Sequence, residues 1–191
     1  MQREIRGGVP AEVREDDSGV RVSGYAAVFG EEADIAGLFR ERIAPGAFAE
    51  AVGRDDVVFL VNHEGLPLAR TRSGTLTLQE DGRGLRMETI LDPEDPDVRS
   101  ILPKMRRGDL DKMSFAFRVK DEEWDDSEDM PLRIIRKVDL YDVSIVTTPA
   151  YQGTDIGLRS LEAVRRNASR TAYGIRQSRM RMNLALRARE G

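Results

Sequence analysis

No cysteine occurs in the chain, and histidine occurs once, at position 63. The first absence removes disulfides, thiolate metal sites and a cysteine nucleophile. The two together remove a zinc site built from cysteine and histidine, which draws most of its ligands from those residues. Long apolar runs are also missing. None approaches the ~20 residues that a membrane span needs, and Met1-Gln2-Arg3-Glu4-Ile5-Arg6 holds no apolar stretch of the signal-peptide kind. The expectation is a soluble, intracellular chain. P-loop, dinucleotide-binding and EF-hand signatures are absent.

What is present is a globular composition, 40% hydrophobic over 191 residues, enough for one domain with its own core and a tail. Charge is unevenly spread. Residues 165–191 hold eight arginines against one glutamate, a surplus of seven, so the first 164 residues carry −11 of the total of −4. An acidic body with a basic tail suggests two parts, 1–157 and 158–191. The tail lacks aromatics apart from Tyr173, so base stacking is not indicated.

Alternation dominates the body. Val20-Arg21-Val22, Thr75-Leu76-Thr77-Leu78 and Leu85-Arg86-Met87-Glu88 read as strands. The last two flank the turn signal Asp81-Gly82-Arg83-Gly84, and Gly24 is a candidate bulge. Val57-Val58-Phe59-Leu60-Val61 reads as a buried strand, with His63 just beyond its end. Residues 113–119, 132–138 and 139–147 read as three further strands, and 121–129 as an acidic loop. Helices are expected over 44–52, over 95–108 with a kink or early end at Pro103, and from Leu158 onward. The carboxylates Asp92, Glu94, Asp95 and Asp97 read as a capped loop. Many short strands with few helices predict a mainly β fold with flanking helices, an α+β class closed or nearly closed into a barrel.

Two residues could carry chemistry. Ser114 stands in the apolar run Met113-Ser114-Phe115-Ala116-Phe117, and a serine is a nucleophile only beside a base. His63 is the one imidazole available as that base. A third group could hold the imidazole; Asp142, Asp139 and Glu64 are the candidates. Strict alternation puts Asp142 with Leu140 and Ser144, and Asp139 with Tyr141 and Val143, so only one aspartate could face the site.

The order of several segments adds specificity. They are Ser23-Gly24-Tyr25-Ala26-Ala27-Val28-Phe29, Ile43-Ala44-Pro45-Gly46-Ala47-Phe48, Asn62-His63-Glu64, Arg106-Arg107-Gly108-Asp109, Met113-Ser114-Phe115-Ala116-Phe117, and Asp139-Leu140-Tyr141-Asp142-Val143-Ser144-Ile145-Val146-Thr147-Thr148-Pro149-Ala150. In this order the chain resembles the prohead maturation proteases of tailed phages and gene-transfer particles. The resemblance implies a herpesvirus-assemblin-like barrel. It implies a serine endopeptidase that cleaves scaffold, or the scaffold-like arm of the major capsid protein, through an acyl-enzyme, with no metal or cofactor. By it His63 is the general base and Ser114 the nucleophile. Herpesvirus relatives use a second histidine as third member; this chain has none, and Asp142 takes the place where phage relatives carry an acid. Arg70 and Arg118 are candidate oxyanion donors. The implied partners are the major capsid protein with its scaffold segment, further copies within the prohead, and the chain itself by self-cleavage. The implied location is the assembling prohead in the bacterial host cytoplasm. Membrane and nucleic acid are not expected partners. The rival reading is a catalytically inactive capsid-assembly module.

Overall fold

A computed structural model describes residues 3–16, 19–148 and 157–166. Its elements are β1 (Glu4–Asp16), β2 (Gly19–Val28), β3 (Glu32–Ile35), β4 (Phe39–Ile43), α1 (Ala49–Arg54), β5 (Val58–Val61), β6 (Glu64–Arg70), β7 (Leu76–Glu80), β8 (Gly84–Leu91), α2 (Pro96–Arg106), β9 (Lys112–Asp125) and β10 (Leu132–Val146). The fold is mainly β with few helices, as the alternation predicts. The chain divides into two units, Met1–Thr154 and Asp155–Gly191, and a helix over 157–166 belongs to the second. The arginine-rich stretch beyond 166 lies outside the described residues. Among the described residues no helix is long and apolar enough to cross a membrane.

The strands form one sheet in the order β3-β4-β10-β9-β1-β2-β8-β7, with β5 attached to β10 and β6 to β5. Two long strands organise it. The first part of β1 pairs with β9 and its second part with β2. β10 is shared in the same way, its first half lying parallel to β4 and its second half parallel to β5. The path has two ends, β3 and β7, so of the expected closed or nearly closed barrel the closed form is not made. The segment around α1 links β7 to β10 instead. Glu80, at the end of β7, accepts from the Gly46 and Phe48 N–H groups at 2.7 and 2.8 Å, and the Val138 N–H of β10 donates to Ala47 O at 3.2 Å. A turn and short helix therefore bridge these strands, and Phe48 and Ala51 enter the core. Phe48 meets Phe115 edge-on at 5.5 Å, a geometry that aromatic quadrupoles favour.

Several local expectations shift. Residues 121–125 belong to β9 and not to a loop, because basic residues on β10 answer the acidic ones across the ladder: Arg133 reaches Glu122 and Arg136 reaches Glu123. The two strands expected over 132–147 are one. The bulge in β2 falls between Tyr25 and Ala27, not at Gly24. α2 begins as its sequence requires, with Asp95 Oδ1 accepting from the Asp97 N–H at 2.8 Å. It runs through Pro103 to Arg106, so the helix does not end early there. The proline removes one ladder bond, but the buried stripe Val98, Ile101, Leu102 and Met105 continues past it and holds the last turn.

Candidate active site

A two-residue hairpin positions His63. Asn62 and His63 join β5 to β6, with Val61 paired to Glu64. Both have positive φ, 50° and 64°, as in a type I′ turn. Most residues with a Cβ are strained there by roughly 1–2 kcal/mol, and asparagine and histidine visit the region more readily than most. Asn62 ties the hairpin to β10. Its N–H donates to Ile145 O at 3.0 Å, and its Oδ1 accepts from the Thr147 N–H at 3.1 Å. A non-glycine residue held in this conformation by its surroundings is a recurrent mark of a functional position.

Strand pairing supplies the other groups. On β9, Met113, Phe115 and Phe117 enter the core, so Ser114 and Ala116 take the opposite face. Register sets Ser144 of β10 directly across from Ser114, and Asp142 across from Ala116. The parallel partner β5 places Leu60 beside Ser144, which carries the hairpin over both serines.

The three sequence-identified residues meet here. His63 Nε2 lies 2.7 Å from Ser114 Oγ, and Nδ1 lies 2.6 Å from Asp142 Oδ1. Ser144 Oγ donates to the same Oδ1 at 2.9 Å and stands 3.2 Å from Nδ1. The Arg3 guanidinium pairs with Asp142 Oδ2. Ser114 and Ser144 have no exposed surface, and Asp142 is 2% exposed. A carboxylate so deep must be compensated; Arg3, Ser144 and the imidazole do so. With the proton on Nδ1 and shared with the carboxylate, Nε2 is bare and can accept from Ser114. The Ser114 hydroxyl has a second acceptor, the Arg6 carbonyl at 2.8 Å.

Neither other candidate acid reaches the imidazole. A bulge between Leu140 and Asp142 breaks the alternation read from sequence. Leu140 turns into the core, as does Val143, and both aspartates come to lie across from the Ser114 face of β9. Asp139 sits opposite Arg118 and is taken by it and by Arg54, at 2.6 Å from the latter. Burial alone would raise the Asp139 pKa; the hydrogen bond and charge of Arg118, with Lys120 and Arg54, outweigh it and hold the carboxyl below its ordinary value. Glu64 is exposed and borders the cleft, while both imidazole nitrogens are engaged elsewhere. The candidate oxyanion donors are not at the site either. Arg70 pairs with Asp56 at 2.6 Å and Arg118 with Asp139.

The cleft beside the imidazole, about 250 Å³, is lined by Arg3, Ile5, Asn62, His63, Glu64, Val146 and Thr148. A larger cavity of about 400 Å³ runs beside Gly7, Gly8 and Val9 and includes none of His63, Ser114 or Asp142, whereas the smaller one is bordered by His63. Among the described residues no group of three histidine, cysteine or carboxylate side chains could hold a metal ion. Asp92 and Asp95 cap backbone N–H groups instead.

β1 lies tightly against Ser114. A Cβ on Gly7 would stand 2.6 Å from Met113 O and 2.7 Å from Ser114 Cβ, closer than atoms approach without movement. Gly7→Ala is therefore expected to push β1 off β9. It should cost about 1–3 kcal/mol and lower hydrolysis, checked by thermal unfolding together with a peptide-cleavage assay.

Sequence reading missed Ser144 and Arg3. Ser144 carries a legible signal, a polar residue two positions from an acid within an apolar strand. Arg3 carries none, since only the pairing of β1 with β9 brings it near.

A serine hydroxyl, an imidazole and a carboxylate in line form the constellation of serine-nucleophile hydrolases. The caudovirus prohead serine protease family matches residues 9–167, and the chain belongs to that family. It is also similar to a prohead protease of Escherichia phage T5, 36% identical over 76 residues, which are 39% of this chain and 34% of the relative. The chain thus matches about a third of that curated relative. No solved structure matches it.

Proposed function

We propose that the chain is a serine endopeptidase of capsid maturation, with Ser114 as nucleophile, His63 as general base and Asp142 as the third member. The observation that carries this is the 2.7 Å approach of His63 Nε2 to Ser114 Oγ with Asp142 2.6 Å behind the ring. His63 takes the Ser114 proton as Oγ attacks the scissile carbonyl, then gives it to the leaving amine. Water hydrolyses the acyl-enzyme by the same route. The substrate is scaffold or the scaffold-like arm of the major capsid protein, met inside the prohead, and self-cleavage is part of the same activity. Residues 1–157 form the catalytic part and 158–191 the appended helix and basic stretch. A substrate carbonyl cannot meet a hydroxyl without exposed surface. Turnover therefore requires β1 or the Asn62-His63 turn to move away from Ser114.

An inactive assembly module would have no need of a base within reach of a buried serine, and the geometry favours the enzyme. The test is co-expression with the neighbouring capsid protein, comparing the native chain with Ser114→Ala; processing by the native chain alone is expected. For the third member, Asp142→Asn is expected to lower kcat about 10⁴-fold, while Asp139→Asn stays near the native rate. Equal native rates for both would leave a Ser–His dyad.

A further inference from the structure

We propose that Ser144 is a positioning residue of this site, holding the Asp142 carboxylate and the imidazole in the one arrangement that leaves Nε2 bare for Ser114. The inference rests on the Ser114–His63–Asp142 reading above. Its ground is a closed triangle of polar atoms. His63 Nδ1, Asp142 Oδ1 and Ser144 Oγ lie 2.6, 2.9 and 3.2 Å apart, the longest edge running from Oγ to Nδ1. The hydroxyl has one proton, and Oδ1 receives it. Its lone pairs then face Nδ1, where they suit an N–H and oppose a bare nitrogen. The hydroxyl and the carboxylate thus both favour the proton on Nδ1. That leaves Nε2 as the acceptor, which is the form a general base needs.

The carboxylate is fixed from two sides. Arg3 takes Oδ2, and Ser144 and the imidazole share Oδ1. Without Ser144, Oδ1 keeps only the imidazole, and the carboxylate can turn about its last bond. Register makes the placement rigid. Ser144 is the cross-strand partner of Ser114 and shares a strand with Asp142 two residues away, so the imidazole is held between two serines whose separation the sheet sets. Ser144 has no exposed surface and touches neither the cleft nor a substrate, so it acts through His63 and Asp142.

The test uses the full chain and its single histidine. Protein labelled with ¹⁵N-histidine gives signals from His63 alone, and these report which ring nitrogen carries the proton. Ser144→Ala removes only the hydroxyl. Losing a hydrogen bond to a charged group is expected to lower kcat about ten- to hundredfold, with KM nearly unchanged. The low-field Nδ1 proton should shift toward that of a free imidazole and exchange faster with water. Native kcat together with an unaltered His63 spectrum overturns the proposal, and so does a fall in kcat with an unaltered spectrum, which marks a packing role only. Should Ser144→Ala fail to fold, Ser144→Cys keeps the volume closer and replaces the hydroxyl with a weak donor; the same two outcomes apply to it. Ser114→Ala is run in parallel. Its full activity would remove the underlying reading, whereas an inactive Ser114→Ala beside an unperturbed Ser144→Ala removes only the role of Ser144.

Discussion

Ser114→Ala is expected to lower kcat by roughly 10⁶-fold and to leave the fold in place. In the proposed mechanism the hydroxyl is the atom that becomes the acyl-enzyme ester, and no neighbouring group replaces it. Ser144 lies across the ladder, but Nδ1 and not Nε2 faces it, so the bare nitrogen cannot take its proton. The cost to stability is small, because alanine keeps the strand and loses only the hydroxyl's contacts with His63 Nε2 at 2.7 Å and the Arg6 carbonyl at 2.8 Å, each worth about 1 kcal/mol. His63→Ala should fall equally far. The double variant should be no worse than either single one, since nucleophile and base act as a unit. Purified protein, a peptide spanning a processed junction, and a thermal melt of each variant make the measurement. Native rates from a folded Ser114→Ala would defeat the enzymatic reading.

The second large effect lies in a buried charge cluster shared by β1, β4 and β10. Arg133 is 1% exposed, and Glu4, Arg6 and Glu41 are at most 4% exposed. Arg133 reaches Glu4 Oε2 at 2.7 Å and Glu41 Oε2 at 3.0 Å, and Arg6 reaches Glu41 at 2.5 Å. Burial alone would lower the Arg133 pKa. The hydrogen bond and charge of Glu4, with the charges of Glu41 and Glu122, overcome it and raise the pKa above the ordinary arginine value. Four charges out of water in mutual contact are tolerable only as a set. Arg133→Ala leaves two buried carboxylates with one cation, and a cavity besides. We expect about 3–5 kcal/mol of destabilisation, a large share of the ~5–15 kcal/mol that holds a domain folded, and a melting point lower by roughly 6–20 °C. Exposed Arg136, paired with Glu123, is the control; Arg136→Ala should barely move the melt. A melt for Arg133→Ala as little changed as that control would show that the cluster does not hold the fold. Activity should fall with stability, because Glu4 and Arg6 belong to the part of β1 that lies on β9 beside Ser114.

Much of the site is legible in the chain. A lone histidine just past an apolar strand, and a serine inside another, are local features, and the absence of any other imidazole or thiol narrows the chemistry before a fold is known. The hairpin of β7 and β8, the caps of α2 and the mainly β character follow from short-range periodicity and turn chemistry. Openness of the sheet does not. It depends on whether β7 finds a partner or the segment around α1 comes between, and that rests on contacts such as Glu80 with the Gly46 N–H, 34 residues apart.

The choice between the two aspartates separates local from tertiary information most clearly. By itself the sequence determined that an acid on the last strand was available to the only histidine, at Asp139 or Asp142. Alternation then argued that only one could face the site. Tertiary structure decided otherwise. An extra residue in β10 at Tyr141 turns both toward the same face, and their partners tell them apart. Arg118, opposite on β9, and Arg54, in the last turn of α1, claim Asp139. The Asn62-His63 turn, Ser144 and Arg3 converge on Asp142. A bulge is a mismatch between two strands, and an ion pair joins residues far apart in sequence, so neither is a property of β10 alone.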